Sequence, residues 1–184
     1  MRLLLLALAA VSTAAGCSSS GGFDSDWERQ NRKNEPTEEA VQPPAYPSSG
    51  TLIEYQVADA DGFRFFVDGA TLSIAKDGIV RYVLVAKSPG GVQNVTYEGM
   101  RCANGGQRIF AFGRPDGTWS LSRAGWRSLS ASGAQPRHVV LYRDFFCPQG
   151  EPIRDSGEGV RALQDGGHPF AKGFASPLPG VYTR

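Results

Sequence analysis

The sequence predicts an α+β fold: an antiparallel β-sheet meander, with one or two C-terminal helices packed on one face and stapled to it by a disulfide. Three observations lead there. Asp-Gly pairs recur at Asp61-Gly62, Asp68-Gly69, Asp77-Gly78 and Asp116-Gly117, between short apolar runs. Both residue types tolerate the positive φ angles of tight hairpin turns. After Pro136 the apolar spacing lengthens from alternation to a helical period. Cys102 and Cys147 each close an apolar segment, on the sheet side and the helix side respectively.

The elements follow in order. Residues 79–87 are rich in β-branched and aromatic side chains, Ser88-Pro89-Gly90-Gly91 makes a turn, and residues 92–102 resume with Val95 and Tyr97 alternating. That is strand, turn, strand. Residues 108–113 and 118–121 make two further short strands around Asp116-Gly117. Val139, Tyr142, Phe145 and Phe146 then fall near helical spacing behind Pro136, where proline suits a first helical turn. Asp155 with Glu158 has the form of a capping box ahead of Val160 and Leu163. The Gly- and Pro-rich C-terminus reads as extended loop.

The N-terminus reads as an export signal. Met1-Arg2 is a short basic region, residues 3–11 are Leu, Ala and Val, and small residues end in Ala14-Ala15-Gly16-Cys17. So short a stretch is a secretory signal rather than a span. A cysteine directly after the small residues is where a lipoprotein accepts diacylglycerol, which assigns residues 1–16 to the signal and Cys17 to lipidation. A plain signal peptide with an incidental Cys17 is the alternative. Two or more acyl chains such as palmitate hold a protein firmly on a bilayer, at about 0.8 kcal/mol per buried CH₂. Ser18 and Ser19 are not the Asp that retains lipoproteins in an inner membrane, so the expected location is the outer membrane, facing the periplasm. Residues 17–50 are Ser, Gly, Pro and charge, a composition unable to bury enough apolar surface to offset its ordering. They read as a tether, and residues 51–184 as a single domain. Within the tether Trp27 is a docking residue for the body or a hook for a partner.

Charge narrows the classes of function. Without residues 1–16 the chain has 18 basic and 18 acidic residues, which argues against nucleic-acid binding. The charge is unevenly spread: residues 24–39 hold six acids against Arg29, Arg32 and Lys33, and the remainder is basic by three. Once Cys17 is lipidated an even pair of cysteines remains, and in an oxidising compartment such a pair most often forms a disulfide. A bridge closing about 45 residues is worth roughly 4 kcal/mol by chain entropy. A redox or metal pair is the rival, although the spacing is far from CxxC.

Candidate chemistry is sparse. His138 is the available general base, with Asp144 near in sequence, but Ser122, Ser128, Ser130 and Ser132 lack a G-x-S-x-G elbow. A lone His beside Val139 and Val140 is more often structural. No metal, nucleotide or dinucleotide motif is present, so no cofactor, metal or enzymatic activity is expected. The basic clustering is stronger. Arg101, Arg108, Arg114, Arg123, Arg127, Arg137 and Arg143 occur with Asp116 the only acid between Arg101 and Arg143, and Trp119 and Trp126 are interleaved. Arginine's planar fork suits phosphate and carboxylate. This makes Arg101, Arg108, Arg114, Arg123 and Arg127 candidates for an anionic envelope ligand: lipid, lipopolysaccharide or peptidoglycan. The bland alternative sends the arginines to solvent on several faces and both tryptophans to the core.

The stretch Tyr97-Glu98-Gly99-Met100-Arg101-Cys102, the run Arg108-Ile109-Phe110-Ala111-Phe112-Gly113-Arg114, Trp119, Trp126 and Leu141-Tyr142-Arg143-Asp144-Phe145-Phe146-Cys147-Pro148 resemble the cryptic neisserial protein family. Its members are small exported proteins of β-proteobacteria, and the resemblance extends over about 51–165. It implies one domain in a bacterial envelope and carries over no catalytic residues. The leading expectation is a non-enzymatic binding or accessory module tethered to the outer membrane. An envelope-polymer hydrolase or transferase using His138 is the alternative, and a purely structural spacer is a third.

Overall fold

A computed structural model describes residues 41–58, 60–131 and 133–171. Residues 1–40, which include the expected signal, Cys17 and Trp27, and residues 172–184 lie outside the described residues.

The sheet has eight antiparallel strands: β1 (Leu52–Tyr55), β2 (Arg64–Asp68), β3 (Ser73–Ile74), β4 (Ile79–Lys87), β5 (Gln93–Arg101), β6 (Gly106–Gly113), β7 (Trp119–Leu121) and β8 (Arg127–Ser128). They run β1-β2-β4-β5-β6-β7, with β3 added to β4 and β8 to β6. The expected pair 79–87 and 92–102 is β4 and β5, paired along their full length from Ile79↔Arg101 to Lys87↔Gln93. Three of the four Asp-Gly pairs turn as expected, with positive φ at Gly62, Gly78 and Gly117. Asp68-Gly69 does not. There a Cβ would come 3.0 Å from Ile53 Cδ1, so this glycine admits a close neighbour rather than a left-handed turn.

Behind Pro136 the chain forms α1 (Pro136–Val140), which widens into a π-helical turn over Leu141–Phe146. The wider turn explains how two adjacent phenylalanines both face inward. Phe145 meets Tyr55 edge-on and Phe146 lies against Tyr82. The second helix, α2 (Ser156–Gln164), is capped by Asp155, whose carboxylate accepts from Glu158 N at 2.8 Å. The return half of the expected box is shifted by one residue: Glu158 Oε2 accepts from Arg154 N rather than from Asp155 N.

Both sides of the sheet are covered, which is why its central strands do not alternate cleanly between apolar and polar. One cluster joins Val80, Tyr82, Leu84 and Met100 to Leu141, Phe145, Phe146, Ala162 and Leu163 of the helical segments. Within it Cys102 and Cys147 form the disulfide, with Cα atoms 5.2 Å apart, so the end of β5 is stapled to the end of the π-helical turn. The other cluster holds Ile79, Val83, Val85, Val95, Tyr97, Phe110, Ala111 and Trp126, with Val41 and Tyr46 packed on it. Residues 41–50, which by composition belong to the tether, therefore meet the body. Trp119 Nε1 donates to Pro44 O at 2.9 Å, and the Tyr46 ring covers Gly113 so closely that a Cβ there would lie 2.9 Å from it.

A bulge between Tyr97 and Glu98 sets the register at the centre. Tyr97 pairs with Ala111 and Glu98 with Ile109, leaving Phe110 as the extra residue. Phe110 and Ala111 consequently both join the second cluster. Gly99 makes room for the phenyl ring, since a Cβ there would sit 2.5 Å from Phe110 Cε2.

Candidate functional site

Glu98 lies at the centre of the first cluster's side, 1 % exposed. Being two residues from Thr96 and from Met100 on β5, it shares their side of the strand. Its carboxylate accepts from Thr96 Oγ1 at 2.6 Å, Tyr82 O–H at 3.0 Å and Gln107 Nε2 at 3.1 Å. His138, 4 % exposed, brings Nε2 to 3.0 Å from Glu98 Oε2. The separation is that of an ion pair, although the ring N–H lies off the hydrogen-bonding line. Burial alone would raise the Glu98 pKa. The adjacent imidazole and the hydrogen bonds from Thr96 and Tyr82 outweigh it and hold the carboxyl below the ordinary carboxylate value. Burial, and then the Glu98 charge, push the Tyr82 and Tyr55 phenols well up, so both remain protonated donors. Tyr55 donates to Arg137 O at 3.2 Å, tying α1 to β1 beside the same carboxylate.

His138 is thus engaged with an acid that sequence reasoning missed. The polar positions Thr96 and Glu98 between Val95, Tyr97 and Met100 in the interior of β5 were the available signal. His168 is likewise engaged: it is buried, its Nε2 lies 3.2 Å from Glu158 Oε1, and its backbone N–H donates to Asp144 O at 2.7 Å. A shallow depression lined by Tyr142, Arg143, Cys147, Gln149 and Gly150 does not include His138. Among the described residues no three His, Cys, Asp or Glu side chains converge to hold a metal, and no helix is long and apolar enough to cross a membrane.

The arginines divide into groups. Arg101 is buried with its guanidinium 4.1 Å over the Trp126 ring, and Arg108 is half-buried over Phe110 at 5.4 Å. Arg81 joins them from β4, also over Phe110 and paired with buried Asp77 at 2.6 Å. Arg123 and Arg127 are exposed on either side of Trp126 in sequence. Arg127 belongs to β8, where it pairs with Gln107. Arg114 is exposed in the β6–β7 hairpin, at the far end of β6. Arg137 leans over Phe65, and Arg143 forms a bidentate pair with Asp144. The structure therefore places Arg101, Arg108 and Arg127 on the adjoining strands β5, β6 and β8, with exposed Arg123 three residues before Trp126 in the chain, and leaves Arg114, Arg137 and Arg143 elsewhere. Trp126 is a core residue, as the bland alternative expects, and Trp119 is half-buried against Tyr46 and Tyr97.

The family model for the CNP1-like family matches residues 31–164, well over half of the chain. The chain belongs to that family. The match takes in β1 through β8, both cysteines and α2, together with ten residues that precede Val41. It bears out the resemblance carried by the Tyr97–Cys102 and Leu141–Pro148 motifs. No curated protein and no solved structure matches the chain.

Proposed function

We propose that the chain is a non-enzymatic module of the bacterial cell envelope, anchored on the outer membrane through lipid on Cys17. Its Trp126 end binds phosphate or carboxylate groups of an envelope component. The observation that carries the binding reading is the setting of Arg123 and Arg127. Both are exposed, and they bracket a tryptophan that is itself fixed by stacking under Arg101. A buried aromatic anchor lies between the two exposed arginines of one short segment, and guanidinium forks suit oxyanions.

The alternative, a hydrolase or transferase acting on envelope polymer, needs His138 within reach of substrate. An acid does stand beside it, but Glu98 and His138 are both buried between sheet and α1. That arrangement favours a structural role for His138, holding a helix on the sheet.

Binding is tested with the full mature chain carrying Cys17→Ser, so that the lipid contributes nothing. It is mixed separately with phosphatidylglycerol vesicles, lipopolysaccharide and peptidoglycan fragments. Association with one of the three that weakens as salt rises supports the reading, because exposed charges are screened over about 8 Å at physiological ionic strength. The responsive arm identifies the source of the anion. No association with any of them at low salt overturns it.

A further inference from the structure

Asp or Asn precedes Gly at Asp61-Gly62, Asp68-Gly69, Asp77-Gly78, Asn104-Gly105, Asp116-Gly117 and Asp165-Gly166. In such pairs no Cβ hinders the glycine nitrogen from closing on the side-chain carbonyl carbon before it. The pairs differ in what that side chain is and in what holds it. Asp68 accepts from Ala70 N, Asp77 is paired with Arg81, and Asp116 accepts from Thr118 N and Oγ1. A carboxylate is also a poor electrophile, whereas the Asn104 amide can release ammonia.

Asn104-Gly105 lies in the loop 102–105 between β5 and β6. Among the described residues the Asn104 side chain has no hydrogen-bond partner, and its Oδ1 is buried in that state. Burial without a hydrogen bond is unfavourable, so nothing polar holds the amide in its rotamer. The Gly105 N–H donates to no backbone carbonyl among the described residues. Gly105 has a φ of +61°, and a Cβ there would meet nothing nearer than Tyr142 Cζ at 4.0 Å. The same loop adjoins β8. Gly105 O accepts from Leu129 N at 2.8 Å, and Gly106 and Gln107 pair with Ser128 and Arg127. Position 104 therefore lies close to the strand that carries exposed Arg127.

We propose that Asn104 is a site of spontaneous deamidation, and that the carboxylate it gains weakens anion binding at the neighbouring Arg127. The Gly105 nitrogen loses its proton to water and bonds to Asn104 Cγ. The Cγ–Nδ2 bond breaks, ammonia leaves, and a five-membered succinimide closes. Water then adds to either ring carbonyl and opens it, leaving aspartate or isoaspartate. The sum is one water consumed and one ammonia released, with no oxidant or reductant. A carboxylate at this position repels the anion that Arg127 attracts. The effect on binding rests on the binding reading above; the deamidation does not.

Deamidation is tested by ageing the full mature chain carrying Cys17→Ser at mildly alkaline pH, folded and in urea, and mapping its peptides by mass spectrometry. Aspartate and isoaspartate should both accumulate at 104 in the folded chain, several-fold faster than at exposed Asn94, which precedes Val95. Asn104→Gln, which would have to close a six-membered ring, should stay unchanged. An intact Asn104 in the folded chain overturns the site, whether or not the unfolded chain reacts there. The effect on binding is read separately, on phosphatidylglycerol vesicles at low salt, where screening extends about 30 Å at 0.01 M. Asn104→Asp should bind several-fold more weakly than the parent, and Asn104→Lys at least as tightly. Equal binding by Asn104→Asp, or weakening by both variants, overturns the effect on binding and leaves the peptide maps standing. If no form binds any anion, the proposed function fails and the effect on binding with it, and the maps still decide the deamidation.

Discussion

Replacing His138 by Ala removes the imidazole that faces a carboxylate 1 % exposed to solvent. The Glu98 carboxylate would then keep three donors, from Thr96, Tyr82 and Gln107, and lose the imidazole 3.0 Å from it. Removing one partner of a buried pair typically costs 3–5 kcal/mol, and the surviving hydrogen bonds place this case near the low end, about 3 kcal/mol. For a body of this size, at about 3 °C per kcal/mol, the melting temperature should fall by about 10 °C. Thermal melts and urea titrations followed by circular dichroism would measure it, with the urea slope unchanged if only stability is affected. A pH series separates charge from the cavity that a smaller side chain leaves. Without the imidazole, burial is the dominant influence on Glu98 and raises its pKa. The variant's deficit should therefore be largest at neutral pH and shrink as acid neutralises the stranded carboxylate. A loss below about 1 kcal/mol, or a deficit independent of pH, would refute the account of Glu98 and His138 as a buried clasp.

Two further outcomes follow from the same structure, and a third from the proposed lipid anchor. Glu158 is held down to about 2: burial would raise it, but hydrogen bonds from the Arg154 backbone and guanidinium and from His168 prevail. A carboxyl depressed on folding adds stability that is present above its ordinary value, near 4.5, and is lost as pH falls through its folded value. Stability should therefore decline from about pH 4.5 towards 2, and Glu158→Gln should flatten that decline; an identical acid profile in the variant contradicts it. Purified Cys17→Ser protein, denatured without reductant, should show no free thiol, and reducing Cys102–Cys147 should cost up to about 4 kcal/mol. In cells, Cys17→Ala should move the exported protein from membrane to soluble fractions; retention after high-salt washing would show that lipid is not the anchor.

Legibility in the sequence followed the physics of each element. The long strands β4 and β5 were readable because a mostly apolar run in β4 and the alternating Val95 and Tyr97 of β5 flank an unmistakable Ser-Pro-Gly-Gly turn. Pairing of the two cysteines was readable because, with Cys17 set aside for lipid, no other cysteine competes for them. By contrast β8 is two residues long, Arg127 and Ser128, and carries no period to detect. Helical spacing located Phe145 and Phe146 without revealing the widened turn that buries both. Glu98 was missed because alternation assigns it to a side of β5 and cannot say that both sides are covered. The approach to the sheet was misjudged for a related reason. Pro43, Pro44 and Pro47 have the composition of a tether, yet the Trp119 N–H and the space above Gly113 fix Pro44 and Tyr46 against the body. Among the arginines, sequence found the basic excess but not the division that separates Arg114, Arg137 and Arg143 from the Trp126 end.

The proposed binding role is tested most directly by titrating the Cys17→Ser chain and its Arg123→Ala/Arg127→Ala variant against the anionic component that it associates with, at low and physiological salt. Both side chains are exposed, so the melting temperature should hold within about 2 °C, since exposed charges add little to folding. The account predicts that affinity falls at least about tenfold in the variant and that its salt dependence flattens. Unchanged affinity in a variant that melts like the parent would contradict it.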